Sequence, residues 1–525
     1  MVERKNIARA ASLMFSGTLI SRILGLVRDQ TIAFIFGATW LTDAYYVAHK
    51  IPNMLREIFA EGSMSAAVIP VLTDYEKQDP EEGRKLVRAL LGFSLVVVGL
   101  VCLAGAIFTP EIVSVIGFGF KSAGRDFAFD TTVELARMMM PFLLFVSIAS
   151  IVMAALNTKR IFFVPSLATA MYNLTFILIV VLLASRLERP ILATAIGVSI
   201  GGLMQIIFQV PKFLRQGFSI LPSFRFSHPG LRRIMLLVLP VMAGTAVAQV
   251  NIVIGAMLAT KLPFGSVTYL YYSMRLIQLP VGMIGVAMGM AILPSLSSHA
   301  HAGDLKSLKE DFAFSLRLLF FIGLPAMAGL IALRVPIVSA LFQHGDWGPK
   351  ATMGTADALL FYSLGLWAVM GVKVLSSTFY SLSDTRTPVK AAIAALTANV
   401  VLSLALMGPM LHKGLALAQA ISAIVNFSLL TYFLKDKLKH IGGRSIADSF
   451  LKAAASSAVM GGAIGVAATF TDWTAPGGTI SKLIVLFLLI GLGAGLYAGT
   501  SALMRSDELG FMVKLFKDKL SKERT

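Results

Sequence analysis

Uninterrupted apolar runs of twenty residues and more constrain this chain more than any other feature of its sequence. Each run is long enough to cross about 30 Å of hydrocarbon as a helix, and a helix satisfies its own backbone hydrogen bonds in lipid. Only 14% of the 525 residues are charged, against about 25% in an ordinary globular domain. The runs also lack the apolar and polar alternation of membrane strands. The pattern therefore predicts an all-α polytopic membrane protein.

Fourteen predominantly apolar stretches, some of which carry charged residues, are long enough to cross a membrane, and we predict fourteen transmembrane helices from them. The basic residues 1–9 are read with the first span and not as a removable signal peptide, because Arg22 and Arg28 interrupt the run and no small-residue cleavage site follows. The predicted spans are residues 10–36, 42–72, 87–109, 130–155, 163–184, 191–213, 233–260, 267–298, 312–333, 353–381, 389–408, 414–434, 450–470 and 481–503.

The net charge of +18 would suit a nucleic-acid-binding protein, so the positions of the charges decide its meaning. Most lysines and arginines outside the spans fall in alternate loops, which is the positive-inside bias of a membrane protein. This distribution predicts that both termini are cytoplasmic. It also removes nucleic acid as an expected partner.

Two pairs of segments repeat at nearly the same spacing. Residues 67–73 and 291–297 both have Pro in an apolar helix end, and residues 157–160 and 384–386 both precede a proline. We therefore predict two six-helix lobes with pseudo-twofold symmetry, at 1–220 and 221–445, and two extra helices with a basic tail at 446–525. Such repeats are typical of transporters, although chance similarity between apolar helices is the alternative.

Enzymatic function is not supported by any motif. The sequence has no phosphate-binding G-x-x-x-x-G-K-[ST] loop, no metal-ligand spacing among its histidines, and no nucleophile–base–acid arrangement in a loop. The single cysteine, Cys102, lies in an apolar run where packing is its expected role. These observations predict a transporter without ATPase activity and without a bound cofactor or metal.

Four arginines lie inside predicted spans: Arg22, Arg28, Arg56 and Arg275. An arginine at mid-bilayer costs about 2.5 to 3.5 kcal/mol on insertion scales, so such residues usually serve a ligand or a pathway. We expect the four to bind an anionic ligand. Snorkelling to the membrane surface is the alternative for Arg28, which lies near the end of its span.

The second span carries a polar stripe at heptad spacing. Asp43, Lys50 and Glu57 lie seven residues apart, and Glu61 follows four residues later. These acids are predicted to line the site or gate it, and Lys50 is a candidate coupling residue. A network of ion pairs that only holds helices together is the alternative.

Three further residues are candidates for a coupling-cation site: Asn251, Asp384 and Asn399. Helix capping and hydrogen bonding between helices explain such side chains equally well. A Na⁺ or H⁺ counter-flux would reset a carrier, but no residue pattern identifies the ion.

The polar residues fall in longer motifs. In the first half these are Ser21-Arg22-Ile23-Leu24-Gly25-Leu26-Val27-Arg28-Asp29, Phe36-Gly37-Ala38, Thr42-Asp43-Ala44, Lys50-Ile51-Pro52-Asn53 and Arg56-Glu57-Ile58-Phe59-Ala60-Glu61-Gly62. In the second half they are Tyr271-Tyr272 with Arg275, Leu293-Pro294-Ser295-Leu296, Leu341-Phe342-Gln343 with Gly345, and Phe379-Tyr380 with Thr387-Pro388-Val389-Lys390. As a set they resemble the MurJ (MviN) lipid II flippase family of the MOP exporter superfamily, over the whole chain.

The resemblance implies a central cavity with the four arginines as its cations and with Asp29 and Asp43 as important acids. It also implies that spans thirteen and fourteen form a groove for an undecaprenyl tail. The implied activity is movement of lipid II from the inner to the outer leaflet of the bacterial cytoplasmic membrane by alternating access, driven by membrane potential or ion coupling. The expected partners are lipid II and membrane lipids, and the protein is expected to be monomeric.

One departure from the family concerns the surroundings of Arg275. Family members often carry acids just before this arginine and three residues after it, where this chain has Met274 and Gln278. A proton-coupling role at those positions is therefore in doubt here. Three other functions compete with the main interpretation: a flippase for another undecaprenyl-linked oligosaccharide, a cation-coupled drug exporter and a membrane scaffold.

Overall fold

The computed structural model describes the backbone of residues 2–59 and 63–522, and the side chains of residues 16–59, 67–242, 245, 249–514 and 518. Within these residues every regular element is a helix. The chain divides into two compact units, Met1–Val267 and Thr268–Thr525. The predicted three-part division at residues 220 and 445 stays a prediction.

The first unit contains eleven described helices, of which two are short. They are α1 (Val2–Phe36), α2 (Trp40–Phe59), α3 (Ser63–Gln78), α4 (Pro80–Ile107), α5 (Thr109–Ile116), α6 (Phe118–Ser122), α7 (Asp126–Met139), α8 (Pro141–Thr158), α9 (Phe163–Leu183), α10 (Leu192–Arg215) and α11 (Pro229–Thr260).

Local sequence signals start two of these helices. Asp79 accepts a hydrogen bond from the Glu81 backbone N–H and precedes Pro80, so α4 begins with a side-chain cap and a proline at its first position. His228 and Pro229 begin α11 in the same way, since His228 Nδ1 accepts from the Gly230 N–H.

A core cluster of the first unit joins α3, α4, α8 and α11. Val68, Leu86 and Ile234 are fully buried in it. In contrast, Leu178, Val181 and Leu182 of α9 are more than half exposed. Large apolar side chains on an outer helix surface are what a lipid-facing surface requires.

The second unit continues with α12, which begins two residues before the unit boundary, and ends with a helix beyond the last predicted span. Its helices are α12 (Ser266–Pro280), a π-helix (Val281–Val286), α13 (Ala287–His301), α14 (Leu305–Ala332), α15 (Arg334–Phe342), α16 (Pro349–Ser363), α17 (Leu366–Ser381), α18 (Arg386–Met410), α19 (His412–Leu438), α20 (Gly443–Ala468), α21 (Thr479–Leu503) and α22 (Asp507–Lys522).

A core cluster in this unit joins α14 and α15 to α20 and α21. The last helix, α22, is fixed to α14 by charge: Arg317 donates from Nε to Glu508 at 2.6 Å and from Nη2 to Asp507 at 2.9 Å. Glu508 is only 3% exposed. Burial raises the pKa of this carboxyl, but hydrogen bonds from Ser506, from its own backbone N–H and from Arg317 outweigh burial and lower it.

The structure confirms the all-α polytopic class. Ten described helices or helix pairs are long and apolar enough to cross a membrane, or eleven if the bent pair α16–α17 forms one span. The count of fourteen stays a prediction. Helix α2 is not among these helices, because it carries four charged residues, Asp43, Lys50, Arg56 and Glu57.

Three predicted spans are interrupted within the described residues. The fourth, 130–155, consists of α7 and α8, which meet at Met140. In the second, 42–72, α2 and α3 lie on either side of residues 60–62, so Glu61 is outside the described part. The eighth, 267–298, contains the π-helix directly after Pro280, whose missing N–H cannot continue an α-helical ladder. The tenth, 353–381, bends by 42° between α16 and α17.

Candidate anion-binding residues

Arg28 is buried in the first unit beside its own counter-charge. Its Nη2 and Nε donate to Asp29 Oδ1 at 2.8 and 3.2 Å, and its Nη1 donates to Asn173 Oδ1 of α9 at 3.3 Å. The guanidinium also lies about 6 Å from the rings of Tyr172 and Phe176. Arg28 is 8% exposed and Asp29 is 0% exposed, so Arg28 does not snorkel to the surface.

Arg22 lies on the same helix as Arg28 but differs from it in exposure and in hydrogen bonding. Its side chain is exposed, and we find no hydrogen bond or ion pair between it and any described residue. An ideal helix places it about 9 Å along the axis from Arg28 and about 120° around it. Nearby, Asn173 Nδ2 donates to the carbonyl oxygen of Ser21 at 3.2 Å and ties this turn of α1 to α9. The turn that presents Arg22 is therefore held in place.

Arg56 belongs to a chain of polar contacts at the end of α2. Its Nε donates to Asn53 Oδ1 at 3.1 Å, and Asn53 Nδ2 donates to Glu57 Oε1 at 3.4 Å. Gln249 of α11 donates to Glu57 Oε2 at 2.7 Å. An amide thus links the arginine to the acid, and the Glu57 carboxylate fixes α11 to α2.

The other end of α2 is fixed by Asp43. This side chain is 1% exposed and its Oδ2 accepts the backbone N–H of Gly265 at 2.6 Å. Lys50, seven residues further along and about 10 Å away on the axis, is half-buried. The polar stripe therefore has two anchored ends with a lysine between them, and Glu61 lies outside the described residues.

Arg275 is half-buried on α12 of the second unit. Two neighbours fix that helix. The ring of Tyr272 lies edge-on to Phe342 and Trp347, with centroids 4.8 and 4.7 Å away. Ser273 donates to the backbone carbonyl of Thr355 in α16 at 2.8 Å. Aromatic packing and one buried hydrogen bond thus set the orientation of the helix that carries Arg275.

Asp384 and Asn399 are not brought together. Asp384 precedes α18 and accepts from the N–H and hydroxyl of Thr387 at 3.0 and 2.9 Å, and from Lys437 Nζ at 3.0 Å. These contacts, with the Thr387 N–H first, lower the pKa of Asp384 to about 2 although burial opposes them. Asn399 is buried thirteen residues into the helix, about 20 Å from its start. Asp384 caps a helix, and Asn251 lies half-buried on α11 of the first unit.

Three amides contact the predicted charges and were missed from the sequence as site residues: Asn53, Asn173 and Gln249. Asn53 could have been found, because it lies three and four residues before Arg56 and Glu57 on one helix. Asn173 and Gln249 are buried amides in apolar helices, which is a weak signal, since most such amides only join helices.

Comparison with known proteins identifies the family. Residues 32–487 match the sequence profile of a family described as "Lipid II flippase MurJ". This chain belongs to that family. It is 34% identical to a probable lipid II flippase MurJ of Vibrio cholerae over 506 residues, which are 94% of this chain and 95% of that protein. It is 31% identical to the lipid II flippase MurJ of Burkholderia cenocepacia over 503 residues, 94% of this chain and 96% of that protein.

Solved structures agree with the MurJ assignment. A lipid II flippase MurJ in an inward closed conformation matches with a TM-score of 0.77 and 26% identity, over 94% of this chain and 99% of that one. An inward-facing MATE multidrug transporter of the MOP superfamily matches with a TM-score of 0.65 over 82% of this chain and 98% of that one. Its identity of 14% shows the fold alone. The family resemblance read from the motifs is confirmed, and MurJ is a family of transporters, not enzymes.

Proposed function

We propose that this protein translocates lipid II, the undecaprenyl-diphosphate-linked peptidoglycan precursor, from the inner to the outer leaflet of the bacterial cytoplasmic membrane. Besides membership of the family, the state of Arg22 supports the proposal. This arginine stands in a transmembrane helix with an exposed side chain and no partner among the described residues, whereas Arg28 six residues later is matched by Asp29. An arginine in a membrane span costs free energy, and an arginine that no acid in the protein neutralises is suited to bind an anionic ligand.

The diphosphate is the part of lipid II that these cations suit. An arginine guanidinium is planar, stays charged when buried and donates two parallel hydrogen bonds to phosphate oxygens. Arg22 makes the direct contact with the diphosphate. Arg56 and Arg275 belong to the same binding set, and Arg28 with Asp29 supplies a rigid polar wall that orients α1.

The transport cycle exposes this binding set alternately to the two sides of the membrane. Both termini are cytoplasmic in this proposal, the protein acts as a monomer, and no ATP is hydrolysed. Export of net negative charge is assisted by a membrane potential that is negative inside, by about 2.3 kcal/mol per charge per 100 mV. A Na⁺ or H⁺ counter-flux then resets the carrier.

A vesicle assay tests the function. Purified protein is reconstituted with fluorophore-labelled lipid II, and a membrane-impermeant reductant bleaches only the label on the outer surface. We expect the wild-type protein to make most of the label accessible to the reductant. An imposed potassium diffusion potential should speed the bleaching in one of its two polarities. Arg22→Ala should reduce the rate by about a hundredfold, and Arg22→Lys by less because the charge remains.

The matched control is Arg186→Ala, because Arg186 is an exposed arginine in the loop between α9 and α10. It should flip lipid II at the wild-type rate. Wild-type rates in both Arg22 variants, with equal amounts of folded protein in the vesicles, would contradict the proposal.

A further inference from the structure

An apolar groove of about 740 Å³ runs along the second unit between α14 and α20. This is the volume of a site for a ligand of lipid-chain or drug size. Its lining comes from residues 324–336 and 454–473, and none of it comes from α21. The groove is therefore a different surface from the one that spans thirteen and fourteen are expected to form for an undecaprenyl tail.

Small residues let α14 and α20 approach closely at the floor of the groove. The nearest heavy atom to an added Cβ on Gly461 is Ala328 Cβ at 3.4 Å, and on Gly465 it is Ala332 Cβ at 3.8 Å. Both pairs share one sequence offset, so α14 and α20 run side by side in the same direction. Val466 beside them is 63% exposed. The groove thus opens on the lipid-facing side of the unit.

One end of the groove is polar. Arg334 is the only charged residue among those that line it, and Thr469 and Thr471 lie at the same end of the parallel helices. The Nη1 of Arg334 donates to the Ile331 carbonyl at 3.0 Å, while its Nε is buried with no hydrogen-bond partner among the described residues. A guanidinium at one end of an apolar groove suits an amphipathic anion.

The length of the groove suits one leaflet. On α14 the lining runs from Leu324 to Ala332, which is about 12 Å of helix, and Arg334 follows at the start of α15. That is a little under half of the roughly 30 Å hydrocarbon core. In the predicted topology the Arg334 end faces the outer leaflet, so a headgroup at Arg334 would place its acyl chain along the groove toward mid-membrane.

We propose that this groove is a binding site for an anionic glycerophospholipid of the bilayer, with its phosphate on Arg334 and one acyl chain between α14 and α20. Anionic headgroups are favoured because the lining contains no carboxylate to meet the ammonium group of a zwitterionic lipid. The bound lipid fills the space that the glycines leave and joins α14 to α20.

Native mass spectrometry of the purified full-length protein tests the site, with phosphatidylglycerol and phosphatidylcholine added in parallel. Wild type should retain phosphatidylglycerol in preference. Arg334→Gln should weaken that binding about tenfold, which corresponds to the loss of one charge-assisted hydrogen bond, and should remove the preference. Arg334→Lys should keep the preference.

A second variant blocks the groove without touching the charge. Gly465→Leu places a side chain in the groove and should abolish retention of both lipids. Its control is Gly495→Leu on α21, where an added Cβ meets nothing within 4 Å, and the control for the charge is Arg186→Gln. Melting temperatures show whether each variant is folded.

Unchanged lipid retention in folded Arg334→Gln and Gly465→Leu would overturn the proposal. So would displacement of phosphatidylglycerol from wild type by an equal concentration of undecaprenyl phosphate, because the occupant would then be a polyisoprenoid. Both outcomes leave the flipping assay with Arg22 variants unaffected, so the two proposals are tested separately.

Discussion

Two arginines on one helix carry their charge in different ways, and this difference supports the assignment of roles. Arg28 is neutralised by the adjacent Asp29 and held by Asn173, whereas Arg22 is exposed. A charge that is paired inside the protein stabilises an arrangement of helices, and a charge that is open can bind a ligand. Arg22 is therefore the residue whose loss should affect the substrate most.

The Arg28–Asp29 pair gives a prediction about stability. Removing one member of a buried ion pair leaves an uncompensated charge and costs about 3 to 5 kcal/mol. Asp29→Ala should therefore lower the free energy of unfolding in detergent micelles by that amount. Asn173→Ala should cost less, about 1.5 to 3 kcal/mol, because it loses a hydrogen bond from the charged Arg28 but leaves the Asp29 counter-charge in place. Replacing the pair together, as Arg28→Met with Asp29→Leu, should cost less than Asp29→Ala alone. Equal losses in Asp29→Ala and Asn173→Ala would count against the pair.

At the residue scale the sequence indicated which side chains are costly but not which of them are paired. The motif around Arg22, Arg28 and Asp29 marked the cluster. The pairing depends on Asn173, which is 145 positions away from Arg28, and no local pattern connects the two. Gln249 and Glu57 are separated by 192 positions and were missed for the same reason.

Helix α4 requires a glycine at position 92, because a loop lies directly against the helix there. The loop after α10 crosses α4 at Gly92, and the Ser223 N–H donates to the Arg88 carbonyl at 2.8 Å. A Cβ on Gly92 would lie far inside van der Waals contact with the Ser223 carbonyl oxygen. Gly99 on the same helix has nothing within 4 Å of its added Cβ.

Gly92→Ala should therefore destabilise the protein by about 1 to 3 kcal/mol, as overpacking does. It should also speed tryptic cleavage at Arg225 in the displaced loop. Gly99→Ala is the matched control and should be neutral or stabilising by up to about 1 kcal/mol, because alanine favours a helix. The measurements are melting temperature and the rate of cleavage. Equal melting temperatures and equal cleavage rates in Gly92→Ala and Gly99→Ala would show that the position of the loop does not depend on its contact with Gly92.

The cap on α18 gives a prediction about pH. Asp384 has a pKa of about 2 in the folded protein and an ordinary value of 3.8. Its charged form is therefore favoured by folding, and its contribution is present above about pH 4 and is lost as the pH falls from about 4 to about 2. Asp384→Asn should cost about 1 kcal/mol at pH 7, like other lost caps.

The difference in melting temperature between wild type and Asp384→Asn should narrow below pH 4. Asp436→Asn is the control, since the Asp436 side chain is 75% exposed and pairs only loosely with Lys439 at 3.6 Å. A difference between wild type and Asp384→Asn that stays constant from pH 7 to pH 3 would show that the charge of Asp384 does not stabilise the cap.

The positions of the helices could be predicted from the length of the apolar runs, but the interruptions inside the helices could not. The bend between Ser363 and Leu366 contains Gly365 and no proline, and a single glycine in an apolar run is too common to predict a bend. The π-helix after Pro280 had such a signal, but proline within a long apolar run also occurs in continuous helices, as Pro240 does within α11. These breaks depend on packing between helices that a single run of sequence does not contain.

At the scale of the whole molecule, the sequence alone supported the membrane class and the MurJ family, and both are confirmed. It supported them because long apolar runs and a dense set of polar motifs are local properties. The number of spans, the coupling ion and the division into lobes depend on how helices cross a bilayer and move, and they stay predictions.

We propose that the arginines of this flippase, above all Arg22, bind the diphosphate of lipid II. Equilibrium binding of lipid II to the purified protein tests this most directly, with soluble diphosphate as competitor. We expect diphosphate to displace lipid II from wild type, and Arg22→Ala to weaken lipid II binding at least tenfold, equal to about 1.4 kcal/mol, with Arg186→Ala unchanged. If Arg22→Ala bound lipid II as strongly as wild type does, and soluble diphosphate did not displace the lipid II, Arg22 would not have this role.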